Sequence, residues 1–162
     1  MVKDISLIYK DEQYMIIIND IINNKLVQKM KNYRQHYNVS CFNHCLLVSY
    51  NLYLICKKHK LDYISAARAA MVHDLFLYDW RKRENGRKGL HAFTHGKQAY
   101  ENAITFLNLN KKEKDIIIKH MWPVTLFSLP KYPETFWMIY VDKCSAIMER
   151  KIKNGGIEYV KK

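Results

Sequence analysis

The apolar residues of this chain recur mostly at steps of three and four, and only five glycines and three prolines interrupt them. That spacing is the period of a helix face, so the sequence predicts an all-α fold, and no stretch alternates well enough to predict a strand. A first helix is expected over about Asp11 to Met30 and a second from about Ser40 to His59. A third runs from Asp62, read as its N-cap, to about Leu77. Tyr78 to Leu90 contains Arg81, Lys82, Arg83, Arg87, Lys88, Gly86 and Gly89 and reads as an exposed basic loop, after which a helix starts near Thr94. Asn110 and Glu113 have capping-box spacing for the next helix, which Pro123 stops just beyond His120. A last long helix is expected from about Pro133 to Lys151, with Gly155-Gly156 marking a turn or frayed tail.

With 162 residues and no shift of composition, the chain is expected to form one domain, 1–162, around one core. A hydrophobic fraction of 49% excludes a disordered chain, and apolar runs such as Tyr14 to Ile18 are too short to cross a bilayer. Charged residues in Met1-Val-Lys-Asp stand where a signal peptide needs an apolar segment, so a cytoplasmic location is expected. Cys41, Cys45, Cys56 and Cys144 show no CxxC pairing and read as reduced core thiols. A formal net charge of +12 favours anionic partners, without choosing among phosphate esters, nucleotides, nucleic acid and acidic surfaces.

Several ionisable residues fall on apolar helix faces, where an unpartnered polar group lowers stability. His44 lies one turn from Cys41 and Val48, on a face that continues through Leu52 and Ile55. His95 shares a face with Ala99 and Ala103, and His120 with Ile116 and Ile117. Asp142 follows Met138 by four residues and Ile139 by three, and precedes Ala146 by four. His73 and Asp74 end the apolar stretch Ala66 to Val72. Adjacent side chains on a helix diverge by about 100°, so both reach one ion only if it sits beside the helix near its end.

Taken singly, an inward histidine is more often a hydrogen-bonded core residue, and an inward aspartate a tether between helices. Six such residues on five helices are satisfied together by one metal cluster, so His44, His73, Asp74, His95, His120 and Asp142 are read as ligands. His91 reads either as a residue beside that site or as loop surface, and His36 and His59 as solvent-facing. Imidazole with carboxylate suits one or two divalent iron, manganese, cobalt, nickel or zinc ions rather than copper(I) or calcium.

The order His44, His73-Asp74, Asp142, with the local text His44-Cys-Leu-Leu-Val-Ser and Ala69-Ala-Met-Val-His-Asp-Leu, resembles the HD-domain superfamily of metal-dependent phosphohydrolases and its H...HD...D signature. The resemblance spans Phe42 to Glu149, leaving 1–39 as an N-terminal helical extension and 152–162 as a tail. It implies an all-α bundle with a central metal site. His95 and His120 resemble the extra histidines of the dinuclear branches. There Asp74 would bridge two ions, with His44, His73 and Asp142 on one and His95 and His120 on the other. The dinuclear phosphodiesterases and dinucleoside-polyphosphate hydrolases carry a lysine three residues after the HD aspartate, where this chain has Leu77. Arg81, Lys82, Arg87, Lys88 and Lys143 are the candidates to contact phosphate instead, Lys143 and Arg81 first. The glycine-tyrosine-proline signature of the cyclic-dinucleotide branch is absent, which argues against that activity.

The activity implied is hydrolysis of a phosphate ester or anhydride, of a nucleotide or related small molecule, by a water that the metal acidifies, with Asp74 and His73 at the centre of the catalysis. Cys45 beside His44 reads as packing rather than as a nucleophile. Three other readings compete: a non-catalytic metal-containing nucleotide-binding module, a di-iron oxygenase of the same superfamily, and a nucleic-acid-binding protein using Arg81 to Lys88. The last explains the charge but leaves the inward histidines and aspartates without a role, whereas a phosphorylated small-molecule substrate accounts for both.

Overall fold

In a computed structural model of the chain, which describes residues 1–2, 4–36, 38–82 and 89–151, the expected all-α architecture is present. Its helices among the described residues are α1 (Ile5–Ile8), α2 (Glu12–Ile22), α3 (Lys25–Lys29), α4 (Cys41–Lys58), α5 (Tyr63–Val72), α6 (His91–Ala103), α7 (Lys111–Lys119) and α8 (Pro133–Lys151). A 3-10 turn, Met30–Asn32, leads into a small antiparallel hairpin of β1 (Arg34–His36) and β2 (Val39–Ser40), in which Arg34 faces Ser40. The Gly155-Gly156 turn lies outside the described residues.

Local chemistry explains most helix starts. Ser40, Asp62 and Asn110 each accept a backbone N–H of the first turn that follows, and Glu113 returns the bond to the Asn110 backbone, completing the capping box. The expected helix over Asp11 to Met30 is instead broken at Asn23 and Asn24, where the Asn24 side chain caps α3. The expected helix to Leu77 ends at Val72. Beyond it the Asp74 carbonyl accepts from Cys41 Sγ (3.2 Å) and the Leu75 carbonyl from Asn102 Nδ2, so these groups are satisfied without another helical turn. Leu77 then takes φ 56° and redirects the chain. The hairpin corrects the expectation of no strands: its strands are too short to show alternation.

The core forms around α5, whose Ala66, Ala67, Ala69 and Ala70 are fully buried and let α4 approach closely. α2 and α7 also pack on α5, α8 packs on α4, and α6 rests mainly on α7. Leu46, Leu52, Met71 and Leu75 fill the centre, each burial contributing about 2 kcal/mol. Polar groups there are paired: Tyr14 donates to Ser49 Oγ (2.8 Å), which donates to the Ala67 carbonyl (2.7 Å). Cys41, Cys45 and Cys56 are buried free thiols, as expected, and Cys144 is half-buried and free. No helix among the described residues is long and apolar enough to cross a membrane.

Candidate metal centre

The early stop of α5 removes the difficulty of two adjacent ligands. His73 caps the helix and Asp74 has left it, so His73 Nε2 and Asp74 Oδ2 come within 3.2 Å of each other. α4 brings His44 and α8 brings Asp142, with His44 Nε2 3.0 Å from Asp142 Oδ1 and 3.9 Å from Asp74 Oδ2. α6 brings His95, and His120 caps the end of α7. Their Nε2 atoms lie 3.3 and 3.7 Å from Asp74 Oδ1. All six sequence-predicted ligands therefore converge. His44, His73, Asp74, His95 and His120 are buried, and Asp142 is 16% exposed.

Asp74 divides the cluster. Its Oδ2 faces His44 and His73, and its Oδ1 faces His95 and His120. The donor atoms of His44, His73 and Asp142 lie within 4.8 Å of one another, as do those of Asp74, His95 and His120. This is the same division that the resemblance implies for two ions.

The hydrogen bonds fix which ring nitrogen faces the centre. His73, His95 and His120 place Nδ1 2.7, 2.8 and 2.8 Å from the carbonyls of Ala70, His91 and Ile117. A carbonyl only accepts, so each Nδ1 carries the proton, and in the neutral ring the lone pair is on Nε2. His44 does the same with a carboxylate, its Nδ1 lying 2.9 Å from Glu149 Oε1. His95 and His120 then present Nε2 to Nε2 at 2.7 Å. Two lone pairs at that distance repel, so a proton or a metal ion must lie between them. His73 Nε2 and Asp74 Oδ1 have close neighbours but no hydrogen bond among the described residues. Buried donor atoms aimed at one point and left without hydrogen-bond geometry fit a divalent ion.

The electrostatics describe a pocket built for positive charge. Burial works against the imidazolium of His44, but the Glu149 and Asp142 carboxylates outweigh it and hold its pKa well above the usual range. His73 is likewise raised against burial by Asp74, and His95, more modestly, also by Asp74. Burial disfavours ionised Asp74 and Asp142, yet the surrounding histidines keep both carboxyls well below the ordinary range. His120 is pushed down to about 3 by burial, then by the neighbouring His95 and His73, so it stays neutral. The carboxylates thus favour protons on His44, His73 and His95 where a cation would otherwise sit.

Above the centre lies a pocket of about 250 Å³ whose floor includes Asp74 and Asp142. Gln35, Trp80, Met121 and Lys143 stand in its walls. Lys143 is exposed and donates to the Trp122 carbonyl (3.1 Å). The other basic candidates do not meet it there. Arg81 is exposed and paired with Asp79 (2.9 Å), Lys82 is exposed away from the pocket wall, and Arg87 and Lys88 lie outside the described residues.

His91 sits beside the site, its ring stacked on His95 at 4.4 Å and its carbonyl accepting from His95 Nδ1. His59 is exposed and stacked on Trp137. His36, expected to face solvent, is half-buried in the pocket wall with its ring 5.3 Å from that of His44, because the hairpin turns it inward. Sequence reasoning missed two further residues. Gln35, from β1, donates to Asp74 Oδ2, and Glu149 holds His44. Glu149 was detectable as a carboxylate seven residues after Asp142, two turns along the same face of α8. Cys45 Sγ packs 3.6 Å from His73 Nδ1, and burial pushes its thiol pKa well up, which suits packing. No family model matches the chain, and no curated protein or solved structure matches it.

Proposed function

We propose that this chain is a metal-dependent hydrolase of phosphate esters or anhydrides, of the HD type, acting on a nucleotide or related phosphorylated small molecule. The reading is carried by Asp74, whose two oxygens face two separate groups of inward imidazoles beneath an open pocket. His44, His73 and Asp142 would hold one divalent ion, His95 and His120 a second, and Asp74 both. The mixed imidazole and carboxylate set suits iron, manganese, cobalt, nickel or zinc. Such ions supply an acidified water and polarise a phosphoryl oxygen.

The chain's own groups divide the remaining work. Asp142, the most exposed of the six and held ionised, accepts hydrogen bonds at the pocket floor but donates none at neutral pH. Lys143 Nζ supplies positive charge at the wall, where a phosphoryl group's outer oxygens gain negative charge during reaction. The buried histidines beneath exclude bulk water from the floor, which strengthens both interactions. Purified protein is expected to contain a transition metal and, loaded with it, to hydrolyse members of a phosphodiester and nucleotide panel. Asp74→Ala is expected to lower metal occupancy and activity together. Metal-loaded protein inert towards the panel refutes the hydrolase. Oxygen consumption by the iron form in its place would make it a di-iron oxygenase, and nucleotide binding without products a binding module. Unchanged occupancy in Asp74→Ala refutes the ligand set.

A further inference from the structure

The four histidines of the centre are not held alike. Three give their Nδ1 proton to a backbone carbonyl, whereas His44 gives its own to a carboxylate 105 residues away in sequence. Glu149 and His44 have no exposed side-chain surface, and Glu149 Oε2 has no hydrogen-bond partner among the described residues. A simple tether between α4 and α8 needs no charge, and leaving a buried carboxylate oxygen unpartnered costs stability. A carboxylate behind a ligating imidazole does more than orient the ring: its charge makes the Nε2 lone pair a stronger donor.

The surrounding charge is unequal in the same sense. On the His44 side, Asp142 Oδ1 and Asp74 Oδ2 both face the imidazoles, and Glu149 stands behind. On the His95 side, among the described residues, only Asp74 Oδ1 does so. Attraction for a divalent cation follows the number of nearby negative charges.

We propose that Glu149 is a positioning residue of the metal centre, aiming His44 Nε2 at its ion and making the His44 side bind more tightly than the His95 side. The inference rests on the metal reading above and goes beyond it by ranking the two positions.

The test is titration of metal-free protein with zinc by calorimetry and with cobalt by visible absorption, for wild type and Glu149→Gln. The amide keeps the size and an acceptor oxygen but removes the charge. Wild type is expected to take up two ions in two steps. Glu149→Gln should weaken the tighter step about 10- to 100-fold, alter the cobalt spectrum of that ion, and leave the weaker step in place. Equal weakening of both steps, or none, overturns the proposal, as does a single-ion wild type whose affinity Glu149→Gln leaves unchanged. If Glu149→Gln does not fold, the zinc-loaded wild type carries the test. The Nδ1 proton of His44 should then resonate furthest downfield of the four, and one grouped with the other three refutes the assignment. Wild type that takes up no metal overturns the metal reading and this inference together. Two-step uptake with an unaffected Glu149→Gln overturns this inference alone.

Discussion

Gly96→Ala is a one-carbon perturbation at the contact that joins His95 to His120. Gly96 follows His95 on α6 and is buried against the end of α7. A Cβ there would stand 2.9 Å from the Ile117 carbonyl oxygen, 3.1 Å from that of Ile118 and 3.4 Å from His120 Cε1. Unstrained carbon-to-oxygen contacts are about 3.3–3.6 Å, so α6 has to retreat by about half an ångström. Both obstructing atoms are backbone and cannot rotate aside. Overpacking of this kind costs about 1–3 kcal/mol, offset by about 1 kcal/mol because alanine favours the helix over glycine. The net loss of about 0–2 kcal/mol corresponds to a fall in Tm of up to about 8 °C for a chain of this length. The more discriminating effect is local. The same retreat widens the 2.7 Å between His95 and His120 and the 3.3 Å between His95 and Asp74, and it leaves His44, His73 and Asp142 where they are. Elemental analysis after metal loading should therefore fall from two ions per chain towards one, while calorimetry of the metal-free form reads the stability change. A variant with full stoichiometry and an unchanged or higher Tm refutes the close α6–α7 contact on which the second position depends.

Other expectations are independent of that contact. Lys60 is exposed with φ 56° at the end of α4, where Leu61 N donates to the Cys56 carbonyl and Lys60 N to that of Lys57. This Schellman geometry favours glycine, so Lys60→Gly should stabilise by about 1 kcal/mol in urea unfolding, and a loss of stability contradicts the backbone reading. Zinc binding near pH 7 should release more protons than imidazoles near 6.5 would, because neighbouring carboxylates hold His44 and His73 above the usual histidine range. Calorimetry in buffers of different ionisation enthalpy counts them, and a release no greater than that of ordinary imidazoles refutes the raised pKa values. In the metal-free protein, stability should fall as pH drops from about 5.5 towards 4.5. Over that window the unfolded chain protonates His120 and the native one, with this pKa near 3, does not. His36, lowered mainly by burial, acts in the same direction, whereas His44, His73 and His95, all raised, act against it only at higher pH, where the unfolded chain loses their protons. A flat urea-midpoint profile excludes a neutral buried His120. Lys143→Met should raise KM for a phosphorylated substrate and leave metal content unchanged; lower metal content would assign Lys143 to the centre itself.

What the sequence disclosed follows the range of the interactions involved. Caps act within one turn, so Asp62 and the Asn110–Glu113 box could be recognised directly, and Pro133 marked the start of α8. The break at Asn23-Asn24 was hidden because Ile18, Ile22, Leu26 and Met30 keep a four-residue spacing across it. The end of α5 carries no glycine or proline signal. It is set by Cys41 and Asn102, which take the carbonyls of Asp74 and Leu75 from distant parts of the chain. The six convergent side chains were legible because ionisable groups on apolar faces require partners. Gln35 and His36 were not, since only the pairing of a three-residue strand with a two-residue strand turns them inward.

His73, His95 and His120 each set the bearing of their ring within three or four residues of their own helix. For His73 and His120 the acceptor is one of the carbonyls that a helix end leaves over. Alignment of these rings is thus a property of the segment, and it travels with the segment wherever that is placed. Long-range folding has only to gather the segments at one address, so an error in packing displaces an imidazole without misdirecting it. Of the four, His44 alone draws its bearing from a residue 105 positions away, which couples the aim of that imidazole to the docking of α8. A chain still emerging from synthesis would have three imidazoles aimed before the fourth could be set.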